Sequence, residues 1–204
     1  MNLEAIREKI AYQPLLLGVF ALLASGALAW ASSATGDAIA AAEAKDLRDS
    51  LSEVLPAGVA DNDFLKDTID LDKGGKPVTI YRARKDGAVK AALFKVAERG
   101  YGGEIQVLMA VDSEGRTLGV RVLKHTETPG LGDKIEIKKD PWVKSFDGKS
   151  LSDPSPDKWG VKKDNGVFDQ FAGATITPRA VVKAVKGGLD FFTAHKAEII
   201  GSAS

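Results

Sequence analysis

From position 10 to position 36 the chain runs for 27 residues without an Asp, Glu, Lys or Arg. Residues 15–34 read LLLGVFALLASGALAWASSA. Twenty helical residues at about 1.5 Å each span about 30 Å, the thickness of a bilayer's hydrocarbon core. Pro14 suits the first turn of such a helix, and Tyr12 and Trp30 fall near its ends, where aromatic rings favour the interface. The run therefore predicts a transmembrane helix over 15–34, with lipid as its partner. Arg7 and Lys9 precede it and Asp37 and Glu43 follow, although Glu4 and Glu8 dilute the bias. The positive-inside rule then places residues 1–14 in the cytoplasm and the remainder on the extracytoplasmic, periplasmic side of the inner membrane. A cleaved signal peptide is the competing reading, since Ala27-Leu28-Ala29 offers a small-x-small cleavage site. The length of the run favours a retained single-pass anchor.

Composition narrows what the exported part can be. Lys+Arg and Asp+Glu number 28 each, so the basic surplus that a nucleic-acid partner demands is missing. With 44% hydrophobic and 27% charged residues the chain belongs with folded proteins. Cysteine is absent, which excludes disulfides, thiolate zinc sites, Cys-ligated iron–sulfur clusters and C-x-x-C-H haem attachment within this chain. Two histidines, His125 and His195, leave little for an imidazole metal site, and none is expected. Any redox chemistry would have to come from an organic cofactor.

Downstream, residues 35–76 form a connecting region. A helical pattern over 37–55, with Ile39, Leu47, Leu51, Val54 and Leu55 in phase, stops at Pro56; it either continues the membrane helix as a stalk or packs on the domain. The folded domain is expected over 77–204. Two strand-like runs flank Asp86-Gly87, a strong hairpin signal. Ile105, Val107, Met109 and Val111 alternate, and after the turn at 112–115 so do Leu118, Val120 and Val122. These predict an antiparallel sheet with one face on a core. Residues 126–172 are loop-rich, and a last helix is expected over about 178–196, with Val181, Val185, Leu189 and Phe192 in one stripe. Strands followed by a helix give an α+β domain with flanking helices.

Two loop segments carry the chemistry. In Phe171-Ala172-Gly173-Ala174-Thr175-Ile176-Thr177-Pro178, Thr177 is a candidate N-cap and Pro178 sits at the first helical position. A hydroxyl beside free N–H groups at the positive end of a helix would suit a phosphate. A helix cap with nothing bound explains the same residues. The second segment, His125-Thr126-Glu127-Thr128-Pro129-Gly130-Leu131-Gly132, reads locally as a tight turn. His125 is expected at a strand end facing solvent, with a ligand contact as the alternative. Trp142 and Trp159 read as core or rim residues, and Lys138, Lys139, Lys162 and Lys163 as solvated faces.

These segments carry a resemblance. Gly173-Ala174-Thr175-Ile176-Thr177 resembles the flavinylation motif [S/T]-G-A-T-x-T of FMN-binding domains in Rnf and Na⁺-pumping NADH:quinone oxidoreductase complexes, with Ala172 standing where Ser or Thr is usual. Glu127-Thr128-Pro129-Gly130-Leu131-Gly132 is similar to the E-T-P-G-L-G signature of the same domains, and Tyr101-Gly102-Gly103-Glu104-Ile105 to their Gly-rich entry into the central strands. The order of the three matches, with one N-terminal anchor, resembles the G subunits of Rnf (also Rsx) complexes; the C subunit of the Na⁺-pumping quinone reductase and a stand-alone membrane-anchored flavin reductase are the alternatives.

The resemblance implies covalent FMN, phosphoester-linked to Thr177 with Thr175 as the internal alternative. It implies that the loop from Glu127 to Gly132 touches the flavin. It also implies electron relay on a ferredoxin/NAD route coupled to ion translocation. The implied partners are the integral-membrane and iron–sulfur subunits of the complex and a flavin transferase for maturation. No residue is then needed as a catalytic acid, base or nucleophile during turnover.

Overall fold

The computed structural model describes residues 12–201. Arg7 and Lys9, on which the expected orientation rests, lie outside the described residues, as does most of the segment 1–14. The chain divides into two compact units between Leu47 and Arg48.

Helix α1 (Tyr12–Glu53) crosses the boundary between the units, and its part in the first includes a 24-residue apolar stretch, Gln13–Gly36, none of it buried. Leu17, Leu22, Leu28 and Trp30 are all more than 70% exposed, and Leu15, Phe20 and Leu23 more than 60%. Successive helical residues are about 100° apart, so these side chains point outward on every side. A helix apolar all round and without a partner among the described residues fits a transmembrane anchor. The expected second helix is the unbroken continuation of this one, and it ends at Glu53, where the chain tightens into a turn before Pro56.

The second unit is built on a five-stranded antiparallel meander: β1 (Thr68–Asp72), β2 (Pro77–Lys85), β3 (Ala88–Arg99), β4 (Glu104–Asp112) and β5 (Thr117–Lys124), in that order. β1 pairs along β2, so the sheet begins earlier than the expected start at residue 77. Asp86 and Gly87 both have positive φ, 53° and 78°, the backbone that a two-residue hairpin of matching twist requires. At the turn between β4 and β5 the Asp112 carboxylate accepts from the backbone N–H groups of Glu114 and Arg116.

The sheet is covered on both faces, not one. Phe94 and Met109 are fully buried on one face, and Leu93 and Leu108 on the other. The alternation of Ile105, Val107, Met109 and Val111 is real, but Leu108 and Ala110 between them are also apolar, the pattern of strands buried on both sides. On the Met109 face lies helix α2 (Ile176–Ala194), which approaches so closely at Gly188 that a Cβ there would lie 2.2 Å from Met109 Sδ. On the opposite face Leu51 and Val54 are buried, and a Cβ on Gly119 would meet the Val54 carbonyl oxygen at 2.6 Å.

Between β5 and α2 the chain makes four short 3₁₀ turns around its own aromatic cluster. Trp142 packs edge-on against Phe146 and Phe171, and Phe168 stacks on Phe146 at 4.5 Å. The indole N–H groups of Trp142 and Trp159 donate to the carbonyls of Asp169 and Ser150. Both tryptophans are therefore core residues, as their size and composition suggest. This cluster anchors Phe171 and with it the start of the Gly173–Thr177 segment.

Candidate functional site

Thr177 is not the N-cap. Helix α2 begins at Ile176, and Thr175 occupies the cap position without a side-chain capping bond. Thr177 and Pro178 lie inside the first turn, where the absent N–H of proline still costs nothing. The first intrahelical bond is the long one from the Arg179 N–H to the Thr175 carbonyl, 3.4 Å. The N–H groups of Ile176 and Thr177 precede it and are available to an anion. A tight turn brings the chain there: the Ala174 N–H donates to the Phe171 carbonyl, with Gly173 at φ 77°.

Thr177 is 1% exposed, and its hydroxyl donates to Oε2 of Glu127, itself 5% exposed. The other carboxylate oxygen, Oε1, accepts from the Gly102 N–H at 2.9 Å. Three glycines make this pairing sterically possible. A Cβ on Gly100 would lie 2.4 Å from Glu127 Oε1. One on Gly132 would lie 2.8 Å from Thr177 Oγ1 and 2.9 Å from Glu127 Cβ. One on Gly102 would lie 2.1 Å from the Thr126 carbonyl oxygen. The Gly-rich stretch before β4 is thus clearance for the Glu127 loop.

Above the pair opens a cavity of about 310 Å³, within the usual range for small-molecule sites. Its walls hold Glu127, Thr128, Leu131 and Gly132 from one loop, and Gly173, Ala174, Thr175, Ile176 and Thr177 from the other. The structure thus brings together nine of the eleven residues singled out from the sequence. Pro129 and Gly130 stand outside the lining; Gly130 has φ 78°, and a Cβ there would meet nothing within 4 Å. Gly130 and Gly132 are therefore glycines for different reasons, one for its backbone angle and one for space.

Tyr101 is a wall residue beyond those expected, and its place in the Gly-rich segment is the signal for it; it is 72% exposed at the cavity rim. With Leu131 and Ile176, 44% and 47% exposed, it makes an apolar margin.

His125 does not face solvent. Its Nδ1 accepts from the Glu127 N–H at 3.1 Å and its Nε2 lies 2.9 Å from Glu136 Oε1, an arrangement that suits the tautomer protonated at Nε2. Lys139 is not a free surface lysine either: its Nζ reaches Asp133 Oδ2 at 2.8 Å and Glu136 Oε1 at 2.9 Å. Hydrogen bonds from Lys139 hold Asp133 below the usual carboxylate range, and those from Lys139 and then His125 do the same to Glu136; Lys139 is raised in return. Lys162 likewise pairs with Asp169. His195 ends α2, its N–H bonded to the carbonyls of Phe191 and Phe192. No group of three or more metal-ligating side chains forms among the described residues.

A family described as FMN-binding domain matches residues 100–190, a span that contains every residue of the cavity wall. The G subunit of an ion-translocating oxidoreductase complex from Cereibacter sphaeroides is 54% identical over 189 residues, 91% of this chain and 85% of its own length. The proteins of the same name from Stutzerimonas stutzeri (48% identical, 92% of this chain and 83% of theirs) and Pseudomonas aeruginosa (45%, 96% and 94%) are also similar. The crystal structure of NqrC from Shewanella oneidensis aligns over 72% of this chain and 74% of its own at 25% identity and a TM-score of 0.49. With near-complete coverage at up to about half identity, and with the FMN-binding match over the cavity, the chain belongs to the family of G subunits of ion-translocating oxidoreductase complexes.

Proposed function

We propose that this chain carries FMN as a phosphoester on Thr177 and relays electrons between neighbouring redox centres of a membrane complex. The route links ferredoxin and NAD and is coupled to ion translocation. The observation that carries the reading is the Thr177 hydroxyl on the wall of a cavity at a helix N-terminus, facing the Glu127–Gly132 loop.

The residues fit the group. A phosphate needs donors, and the first-turn N–H groups of Ile176 and Thr177, with the helix dipole behind them, supply them. A flat ring needs apolar surface and close approach, which Tyr101, Leu131 and Ile176 offer at the rim. FMN, when bound, supplies the one-electron chemistry; the protein's part is to hold it, orient it and set the charge around it. Glu127, Thr128 and Gly132 line the cavity with Thr177 and would lie beside the tethered phosphate. A tether at the phosphate keeps a cofactor that could not be replaced outside the cytoplasm, while leaving the ring's electronics to the pocket.

The partners of this reading are the integral-membrane and iron–sulfur subunits of the complex, with a flavin transferase during maturation. The domain lies outside the cytoplasm, as Arg7 and Lys9 ahead of the span imply. A C-terminal reporter active only in the cytoplasm should stay silent, and activity would reverse the topology.

The test of attachment is flavin fluorescence of the membrane-purified chain after denaturing electrophoresis. Wild type should fluoresce, and Thr177→Ala should be dark while still folding, at a lowered unfolding temperature because Glu127 Oε2 loses its donor. Fluorescence that survives in Thr177→Ala and disappears in Thr175→Ala would move the acceptor to Thr175.

A further inference from the structure

We propose that Glu127 is the proton acceptor that activates the Thr177 hydroxyl when the flavin is attached. The inference rests on Thr177 being the attachment point.

A buried carboxylate is costly unless its oxygens are served, and here each oxygen has one donor: Gly102 N–H on Oε1, Thr177 O–H on Oε2. The second donor is the group that must lose its proton for an ester to form. A threonine hydroxyl is a weak nucleophile, and a base already in hydrogen-bond contact is the usual remedy. The contact is prebuilt: the clearance at Gly100 and Gly132 lets the carboxylate reach the hydroxyl, and the Glu127 N–H bond to His125 Nδ1 fixes the backbone it hangs from. A helix N-terminus lies on the side where the incoming phosphate must sit.

The step balances as a phosphoryl transfer. Flavin mononucleotide alone has no good leaving group, so the donor must be a flavin dinucleotide, with a phosphoanhydride. Thr177 Oγ1 forms a bond to the phosphorus that carries the flavin ribityl chain. The anhydride P–O bond breaks, its electron pair leaves with the nucleoside monophosphate, and the hydroxyl proton passes to Glu127 Oε2. No electrons are gained or lost. The transferred proton also resolves the product's electrostatics: Glu127 then stands neutral beside the new phosphodiester anion, rather than two negative charges facing each other.

Phosphoryl transfer has a loose transition state in which the nucleophile's proton leaves late, so the base contributes at the low end of its usual range, about 10²-fold. The experiment uses full-length apo-protein in detergent, with purified flavin transferase, flavin adenine dinucleotide and Mg²⁺, and reads the initial rate of fluorescence incorporated into the denatured band. Glu127→Gln should incorporate about 10²-fold more slowly than wild type with an unchanged unfolding temperature, and Glu127→Asp should recover part of the loss. The wild-type rate should show an acid limb in its pH profile, and that limb should vanish in Glu127→Gln, which a merely structural role would not produce.

Incorporation by folded Glu127→Gln at the wild-type rate, with Thr177→Ala dark, overturns the proposal and leaves the Thr177 reading standing. Undiminished incorporation by Thr177→Ala sinks both. If Glu127→Gln does not fold, Glu127→Asp decides: an acid limb in its rate supports the proposal, and a rate flat with pH overturns it.

Discussion

The two walls of the cavity are held in opposite ways. The Gly173–Thr177 wall is held by backbone: a glycine turn, the first turn of a 19-residue helix and the aromatic cluster under Phe171. The Glu127–Gly132 wall is held by side chains, through a chain that runs from Asp133 and Lys139 to Glu136, His125 and the Glu127 N–H. The backbone wall presents the hydroxyls of Thr175 and Thr177 and a pair of N–H donors; the side-chain wall presents the carboxylate that meets the Thr177 hydroxyl. The lesson is that substitutions on the first wall should act chiefly on attachment, while those that cut the side-chain network behind the second should act on attachment and stability together.

The largest effect is expected at the seam between the walls. Gly132→Ala places a Cβ 2.8 Å from Thr177 Oγ1 and 2.9 Å from Glu127 Cβ, and the latter cannot swing away. Forcing the walls apart should cost about 2 kcal/mol of stability and lower covalent flavin occupancy at least tenfold. Thermal unfolding with in-gel fluorescence checks both, and unchanged values would mean that the walls are not in register.

A smaller effect is expected from His125→Ala, which removes both bonds of the ring and leaves the Glu127 N–H to find another partner. It should cost about 1–2 kcal/mol, and flavin attachment should slow only severalfold, because Glu127 keeps its Gly102 bond. If stability is unaffected, the side-chain wall does not depend on this network.

The smallest effect concerns acid. Asp133 and Glu136 are held below their ordinary values by Lys139, so their contribution to stability is complete above about pH 5 and is lost as pH falls through their lowered folded-state values. Lys139 is raised, so its contribution is complete below about pH 10.4 and disappears only as pH rises through its folded-state value. Lys139→Met should therefore flatten part of the acid limb of unfolding temperature against pH and leave the Thr177 wall untouched. The pair is partly exposed, so the change is modest and should shrink in high salt.

Much of this was legible in the residues. Asp86-Gly87 announced its hairpin because only a few residue pairs tolerate positive φ twice in succession. The apolar run announced α1 because nothing in a soluble core needs 24 such residues in one helix. Short periodic stretches were harder. β1 sets only Ile69 and Leu71 between Thr68, Asp70 and Asp72, so it offers little apolar signal and is recruited by pairing with β2. The start of α2 was misplaced by two residues because Thr177-Pro178 looks like a cap and first position, whereas Glu127, fifty residues away, takes the hydroxyl instead. His125 and Lys139 read as surface residues for the same reason: their partners converge only after β5 and the following turn are folded.

The central claim is tested most directly by peptide mass spectrometry of the protein purified from membranes. Trypsin should release residues 164–179, DNGVFDQFAGATITPR, which contains both threonines of the motif. With FMN on Thr177 this peptide gains the mass of one FMN less one water, and fragments beginning at Thr177 carry the whole increment. The peptide recovered unmodified from flavin-containing protein, or an increment confined to fragments that end before Thr177, would contradict it.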